Sequence, residues 1–196
     1  VRVEHPRTVI DKIQYHGKDR TENLPAAEYR LTTQVDERGV YSFCMCPGGH
    51  VINASSELDT AVTNGMSNSG RDSSTANSGL LVDVRTEDFP SEHPLAGVEF
   101  QRKYEKLAFE MGKGTLPKTQ YCNFKADESD CVRNSLPKFA SEAIIEAMPY
   151  LGKKLKGFDR EDAVMTAVET RSSSPVRIIR GETLQSSVKG IFPAGE

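Results

Sequence analysis

The chain has 196 residues, 37% of them hydrophobic and 27% charged, with a net charge of −3 and four cysteines. That is enough to bury a core as one ordinary domain or two small ones. Its mild acidity offers nothing to nucleic acid or to an acidic membrane surface. No apolar run approaches the ~20 residues of a membrane span, and so few cysteines make no disulfide scaffold, so a reducing, cytoplasmic setting is the default.

Val1-Arg2-Val3-Glu4-His5 alternates like a strand already under way. Short runs bounded by Gly, Asn, Asp or Ser predict further strands over 28–35, 40–46, 50–54, 60–64 and 80–85. Asp36-Glu37-Arg38-Gly39 suits a hairpin turn between the first two of these. Residues 65–79, rich in Ser, Asn and Gly, read as a long polar loop of the kind that often carries function.

From residue 94 the period changes. Phe100, Tyr104, Leu107, Ala108 and Met111 recur at helical spacing and predict an amphipathic helix over 94–111, ended by Gly112 and Gly114. Residues 115–134 show no period and read as an irregular connection. A second helix is expected with Ser135 near its N-cap, Pro137 in its first turn, and the stripe Phe139, Ala140, Ala143, Ile144, Ala147, Met148; Pro149 would kink it. A third helix is expected over 159–168. Strand texture returns at 176–179 and at 191–194.

The pattern is α+β: a β-rich part over 1–90, a mainly helical part over 91–168, and a return segment over 169–196. Apolar residues followed by Gly195 and Glu196 suit a strand whose end meets a ligand at a sheet's carboxyl edge. That ending and the strand-like opening lead us to expect a segment of a larger protein.

Complete catalytic signatures are missing. The sequence has no dinucleotide-binding or phosphate-binding glycine loop, no H-E-x-x-H and no G-x-S-x-G, and its four histidines are scattered, so no metal site is expected. Four segments remain that suit chemistry. In Cys44-Met45-Cys46-Pro47-Gly48-Gly49 an extended strand would put Cys44 and Cys46 on one face, either as small packing residues or as a thiol pair, with glycines that let backbone come close. Asn64-Gly65-Met66 through Arg71 to Asn77 offers many small donors and acceptors and one Arg, against the plain alternative of a surface loop. Glu169-Thr170-Arg171-Ser172-Ser173-Ser174-Pro175-Val176-Arg177, three serines flanked by two arginines, could meet an anion or form a capped turn. Pro193-Ala194-Gly195-Glu196 suits the hydroxyls of a cofactor.

Together, Tyr-Ser-Phe-Cys-Met-Cys-Pro-Gly-Gly (41–49), Val-Thr-Asn-Gly-Met-Ser (62–67), Arg-Asp…Ala-Asn-Ser (71–78), Glu-Thr-Arg-Ser-Ser-Ser-Pro-Val-Arg (169–177) and Gly-Ile-Phe-Pro-Ala-Gly-Glu (190–196) resemble a family of bacterial FAD-dependent dehydrogenases, often called NAD/FAD-utilising dehydrogenases. The resemblance covers nearly the whole chain. It implies a parent whose nucleotide-binding fold holds FAD, with this segment as its inserted, substrate-side domain. It further implies that Pro193, Ala194, Gly195 and Glu196 approach the flavin, and that Pro47, Gly48, Gly49, Asn64, Gly65, Met66, Asn77, Arg171 and Ser173 face flavin or substrate. Cys44, Cys46 and Arg71 are the catalytic candidates. The expected partners are a small-molecule substrate and the FAD-binding part of the same polypeptide, with NAD(P)H as candidate reductant; the segment alone is expected to bind little or no FAD. The rival expectations are a non-catalytic binding module and, less favoured, a redox or metal protein using Cys44 and Cys46.

Overall fold

A computed structural model describes residues 1–18, 20, 21 and 23–194. In chain order the elements are β1 (Arg2–Pro6), α1 (Arg7–Gln14), β2 (Thr32–Val35), β3 (Arg38–Cys46), β4 (Gly49–Asn53), β5 (Thr63–Ser67), β6 (Thr75–Val82), a 3-10 turn (Thr86–Asp88), α2 (Ala96–Met111), β7 (Lys118–Gln120), α3 (Tyr121–Ala126), α4 (Cys131–Asn134), α5 (Lys138–Lys154) and β8 (Val164–Thr166). The architecture is α+β.

One antiparallel sheet runs β2-β3-β6-β1-β8-β7, so it joins strands from the first 90 residues to strands beyond residue 117. The β4–β5 hairpin forms a second, two-stranded sheet, packed against β6, with β5 also meeting β3 and β1. Helix α5 lies on β2, β3 and β6. Its stripe Ala140, Ala143, Ile144, Ala147, Met148 and Leu151 is buried and joins Val3, Leu80, Phe124, Phe158 and Met165 in the core. Pro137 sits at the N-cap of α5, and the helix continues through Pro149 to Lys154.

The β2–β3 hairpin forms as its turn residues require. Asp36 and Glu37 both take positive φ (44° and 66°), the twist that a tight two-residue hairpin needs. The strands β1 and β6 are central. Alternation along β1 sends Val1, Val3 and His5 to one face and Arg2 and Glu4 to the other. His5 belongs to the core: its Nε2 meets the Phe158 carbonyl oxygen at 2.7 Å, and burial lowers its pKa and keeps the ring neutral.

Several expectations change. Residues 65–79 are not one loop, because β5 and β6 occupy both of its ends. Asn77, Ser78 and Gly79 lie fully inside the sheet, where they face buried polar groups rather than apolar ones, so the hydrophobic signal of a strand is absent there. The helix expected over 159–168 is instead a series of turns followed by β8, whose Met165 and Thr166 are both fully buried. A strand buried on both faces has the same apolar look as a short helix. Helix α1 and the elements β7, α3 and α4 went unread, being short. Residues 176–179 and 191–194 form no strand. A strand exists only through a ladder with a neighbour; the tail instead bonds to itself, with Ser186 N–H donating to the Ile191 carbonyl and Arg180 to the Pro193 carbonyl.

Because Met148 has no exposed surface, Met148→Ala leaves a cavity under the sheet, with an expected loss of about 2–5 kcal/mol in urea unfolding. A loss below ~1 kcal/mol would show that α5 is not clamped on this sheet as described.

Candidate functional site

The site begins with one buried cation. Arg2 leaves β1 on the polar face and is 0% exposed. Its register partners Gly79 and Thr166 lie beside it on β6 and β8. Gly79 has no side chain to occupy the space; a Cβ there would come 2.5 Å from Glu169 Oε2. The Arg2 guanidinium then donates in five directions. NH1 reaches the Cys44 carbonyl oxygen (2.7 Å), Asn77 Oδ1 (3.2 Å) and, more weakly, Cys46 Sγ (3.8 Å). NH2 reaches Asn64 Oδ1 (2.9 Å) and Glu169 Oε1 (2.8 Å). Four segments singled out by sequence thus meet on one side chain that the sequence reading passed over.

The local backbone is shaped for this meeting. The β3–β6 register breaks between Phe43 and Cys46, and Cys44 takes φ 45°. This bulge turns the Cys44 carbonyl inward and its side chain outward. Cys44 is therefore exposed and Cys46 buried, so the two thiols do not share a face as an unbroken strand would require. Burial pushes the Cys46 thiol above its ordinary pKa, which keeps it protonated and unreactive. Gly48, at φ 54°, lets the Arg71 backbone pass: a Cβ would lie 2.0 Å from the Arg71 carbonyl oxygen. Gly65 lets Arg2 and Asn77 close in, since its Cβ would lie 2.4 Å from Asn77 Oδ1 and 2.6 Å from Arg2 NH1.

Other sequence candidates lie elsewhere. Pro47 and Gly49 are buried supports; the Pro47 carbonyl accepts from Ser67 Oγ. Met66 is exposed on the hairpin. The Arg71 side chain makes a solvent-exposed pair with Glu28 at 2.9 Å. Pro193 and Ala194 are in the tail; Gly195 and Glu196 lie outside the described residues.

Glu169 carries the network to a cleft. One oxygen holds Arg2; the other, Oε2, is buried with no partner among the described residues. Burial raises the Glu169 pKa even against the pull of Arg2. The next residues, Thr170 and Arg171, are tied down by Glu105, a fully buried acid on α2. Thr170 Oγ1 donates to Glu105 Oε1 (2.7 Å), and Arg171 Nε and NH2 donate to its two oxygens (2.9 and 2.8 Å). Burial opposes ionisation of Glu105, yet these donors outweigh it and leave its pKa below the ordinary value. Glu105 also escaped the sequence reading. Its only signal was a charge on the inward side of α2, one residue after Tyr104.

With 169–171 fixed, residues 172–175 form the wall between two clefts. One, of about 440 Å³, is lined by Tyr41, Leu81, Asp83, Phe89, Gly97, Phe100, Tyr104, Ala140, Val168 and Glu169 as well as the wall. The other, of about 470 Å³, is lined by Glu57, Val98, Gln101, Arg102 and Arg171 as well as the wall. Phe100 and Tyr104, expected as core, are half-buried lining of the first cleft. Gly97 lets the wall sit on α2: a Cβ would meet the Pro175 Cβ at 2.6 Å. Ser173, a sequence candidate, lies on this wall.

The family description "FAD-dependent protein, C-terminal domain-like" matches residues 1–131 and 127–172. The chain belongs to this family. It is also 43% identical, over an aligned length of 218, to an uncharacterized protein of Clostridium beijerinckii (strain ATCC 51743 / NCIMB 8052). The alignment covers 100% of this chain and 41% of that relative, so the chain spans about two fifths of the relative's length. As a domain of an FAD-dependent protein it invites a fit to the cofactor. Arg171, one of the two arginines of the 169–177 segment, spends its donors on Glu105, on Ser56 Oγ (2.7 Å) and on Glu57. Arg171 is therefore committed within the domain and is not an open ligand for the FAD phosphates. Among the described residues no group of three or more His, Cys, Asp or Glu could hold a metal, and no helix is long and apolar enough to cross a membrane.

Three outcomes test this geometry. Arg2→Ala strands a buried carboxylate and is expected to cost about 3–5 kcal/mol in denaturant unfolding. Gly65→Ala drives a methyl into Asn77 and Arg2, with an expected cost of about 1–3 kcal/mol, whereas Gly181→Ala, in the open tail, is expected to change stability far less. Glu105 has a depressed pKa in the fold, so its contribution is present above its ordinary value of 4.5 and is lost as pH falls through the folded value. Glu105→Gln is expected to lower stability at neutral pH and to flatten the acid limb of a stability–pH curve; an unchanged acid limb would contradict the assignment.

Proposed function

We propose that this chain is the substrate-side domain of an FAD-dependent oxidoreductase. The observation that carries the reading is the aromatic cleft whose hydroxyl-bearing wall, 172–175, is locked by Glu105 and Glu169 in a domain of an FAD-dependent family. FAD, held chiefly by another part of the polypeptide, would supply the hydride or electron transfer. The residues here bind and orient the substrate and exclude water: the rings of Phe89, Phe100 and Tyr104 cover its apolar body, and Ser172 and Ser173 meet its polar edge.

The tail supports the second half of this reading. Ile178, Ile179, Leu184, Val188, Ile191 and Phe192 are 50–82% exposed, an apolar run that the body of the domain leaves uncovered. We assign it to contact with the FAD-binding part, since the relative extends well beyond the aligned region. Pro193 to Glu196 would then approach the flavin. Cys44, exposed next to Phe43, remains a candidate for contact with the ring.

The full-length protein is expected to purify with flavin at about one per chain, and anaerobic NADH or NADPH is expected to bleach its visible spectrum. Protein that is folded yet free of flavin, and that takes up none when FAD is added, would overturn the proposal.

A further inference from the structure

The aromatic cleft has a charge pattern that selects its ligand. Asp83 and Glu169 are the ionisable acids that line it, and no Lys, Arg or His side chain does. Three neighbouring cations are already neutralised. Arg2 is bound to Glu169, Arg171 to Glu105 and Glu57, and Arg102 to Glu57 at 3.0 Å. An anion entering the cleft would lose its hydration and meet Asp83 and the Arg2-paired Glu169, with no cationic side chain in the lining to balance it. A cation fares little better at Glu169, whose charge is already taken by Arg2.

The ring-bearing side of the remaining surface is apolar and bent. Phe89 and Phe100 have ring centroids 5.7 Å apart, and Phe100 and Tyr104 are 4.9 Å apart, each pair tilted by 58°. The three form a bent panel facing the sheet side of the cleft, and the volume of about 440 Å³ is that of a small-molecule site. The polar capacity is concentrated on the wall. No hydrogen bond among the described residues engages the hydroxyl of Ser172 or Ser173, whereas Ser174 Oγ is spent on Val176. Two open hydroxyls donate to a carbonyl or accept from a hydroxyl equally well.

We propose that this cleft takes a neutral, flat ring compound with a hydroxyl or carbonyl at its edge, and rejects carboxylated or phosphorylated ligands. The ring stacks on Phe100 and Tyr104, and its oxygen bonds Ser172 and Ser173. The inference rests on reading the chain as a substrate-side domain and adds the class of substrate.

The test is calorimetric titration of the full-length protein with three probes of one ring: naphthol, naphthoate and naphthylmethylamine. Naphthol is expected to bind at least about tenfold more tightly than either charged probe. Ser172→Ala/Ser173→Ala, on the surface of the wall, is expected to weaken naphthol about fivefold or more while leaving the melting temperature unchanged. Tyr104→Ala is expected to weaken it further, and its fold is checked by circular dichroism. Equal or tighter binding of naphthoate or of the amine, no binding by naphthol, or indifference to the serine pair would each overturn the proposal. Flavin content is measured on the same preparation: naphthol binding without flavin sinks the oxidoreductase reading alone, and flavin without naphthol binding sinks this inference alone.

Discussion

A guanidinium buried at the centre of a sheet must find acceptors within its own reach, because water is excluded and the cost of an unpaired charge there is several kcal/mol. Arg2 finds them by drawing in the bulge carbonyl of Cys44, the amide oxygens of Asn64 and Asn77, and the carboxylate of Glu169. Much that looks idiosyncratic follows from this. The glycines at 65 and 79 are there because neighbouring groups of the cluster occupy the space of a side chain. The bulge at Cys44 exists because a carbonyl must point inward. Buried Asn77 and Ser78 replace the valines and isoleucines that a central strand normally carries.

From the cluster, constraint passes along the chain. Glu169 is held by Arg2, Thr170 and Arg171 by Glu105, and so the wall of 172–175 stands in a fixed place between two clefts. The two acids behave oppositely. Glu105 has a forked Arg and a hydroxyl and is held ionised, whereas Glu169 has one Arg bond and one orphaned oxygen, and burial wins. The first is an anchor. The second borders a cavity with spare capacity for a proton, the kind of perturbed group that marks functional sites. Arg171, which composition offered together with Arg177 as an anion binder, turns out to be the anchor's partner.

Local pattern carried the β2–β3 hairpin and both long helices, because a two-residue turn or a 3.6-residue stripe is written in adjacent residues. It also singled out Cys44, Cys46, Asn64, Gly65, Asn77 and Glu169 to Ser173, which lie at the cluster or the clefts, whereas Pro47, Gly49, Met66 and Arg71 lie elsewhere. What joins them was not legible. Arg2 sits in a strand whose alternation marks it as a solvent-facing residue, and only the β4–β5 hairpin packed over it makes that position interior. Glu105 is hidden in the same way on α2. The polar look of β6 and the helix-like look of β8 have one cause: burial on both faces, against polar groups in the first and apolar in the second, erases the period-two signal.

The central claim is that one buried cation holds four distant segments in register and thereby sets the cleft wall. Native-state amide hydrogen exchange of Arg2→Lys against the parent protein tests it directly. A lysine keeps the charge but not the planar fork that serves acceptors in several directions. The account predicts faster exchange together at 44–49, 64–67, 77–79 and 169–173, with α5 still protected. Loss of protection confined to β1, or spread evenly over the whole domain, would contradict it.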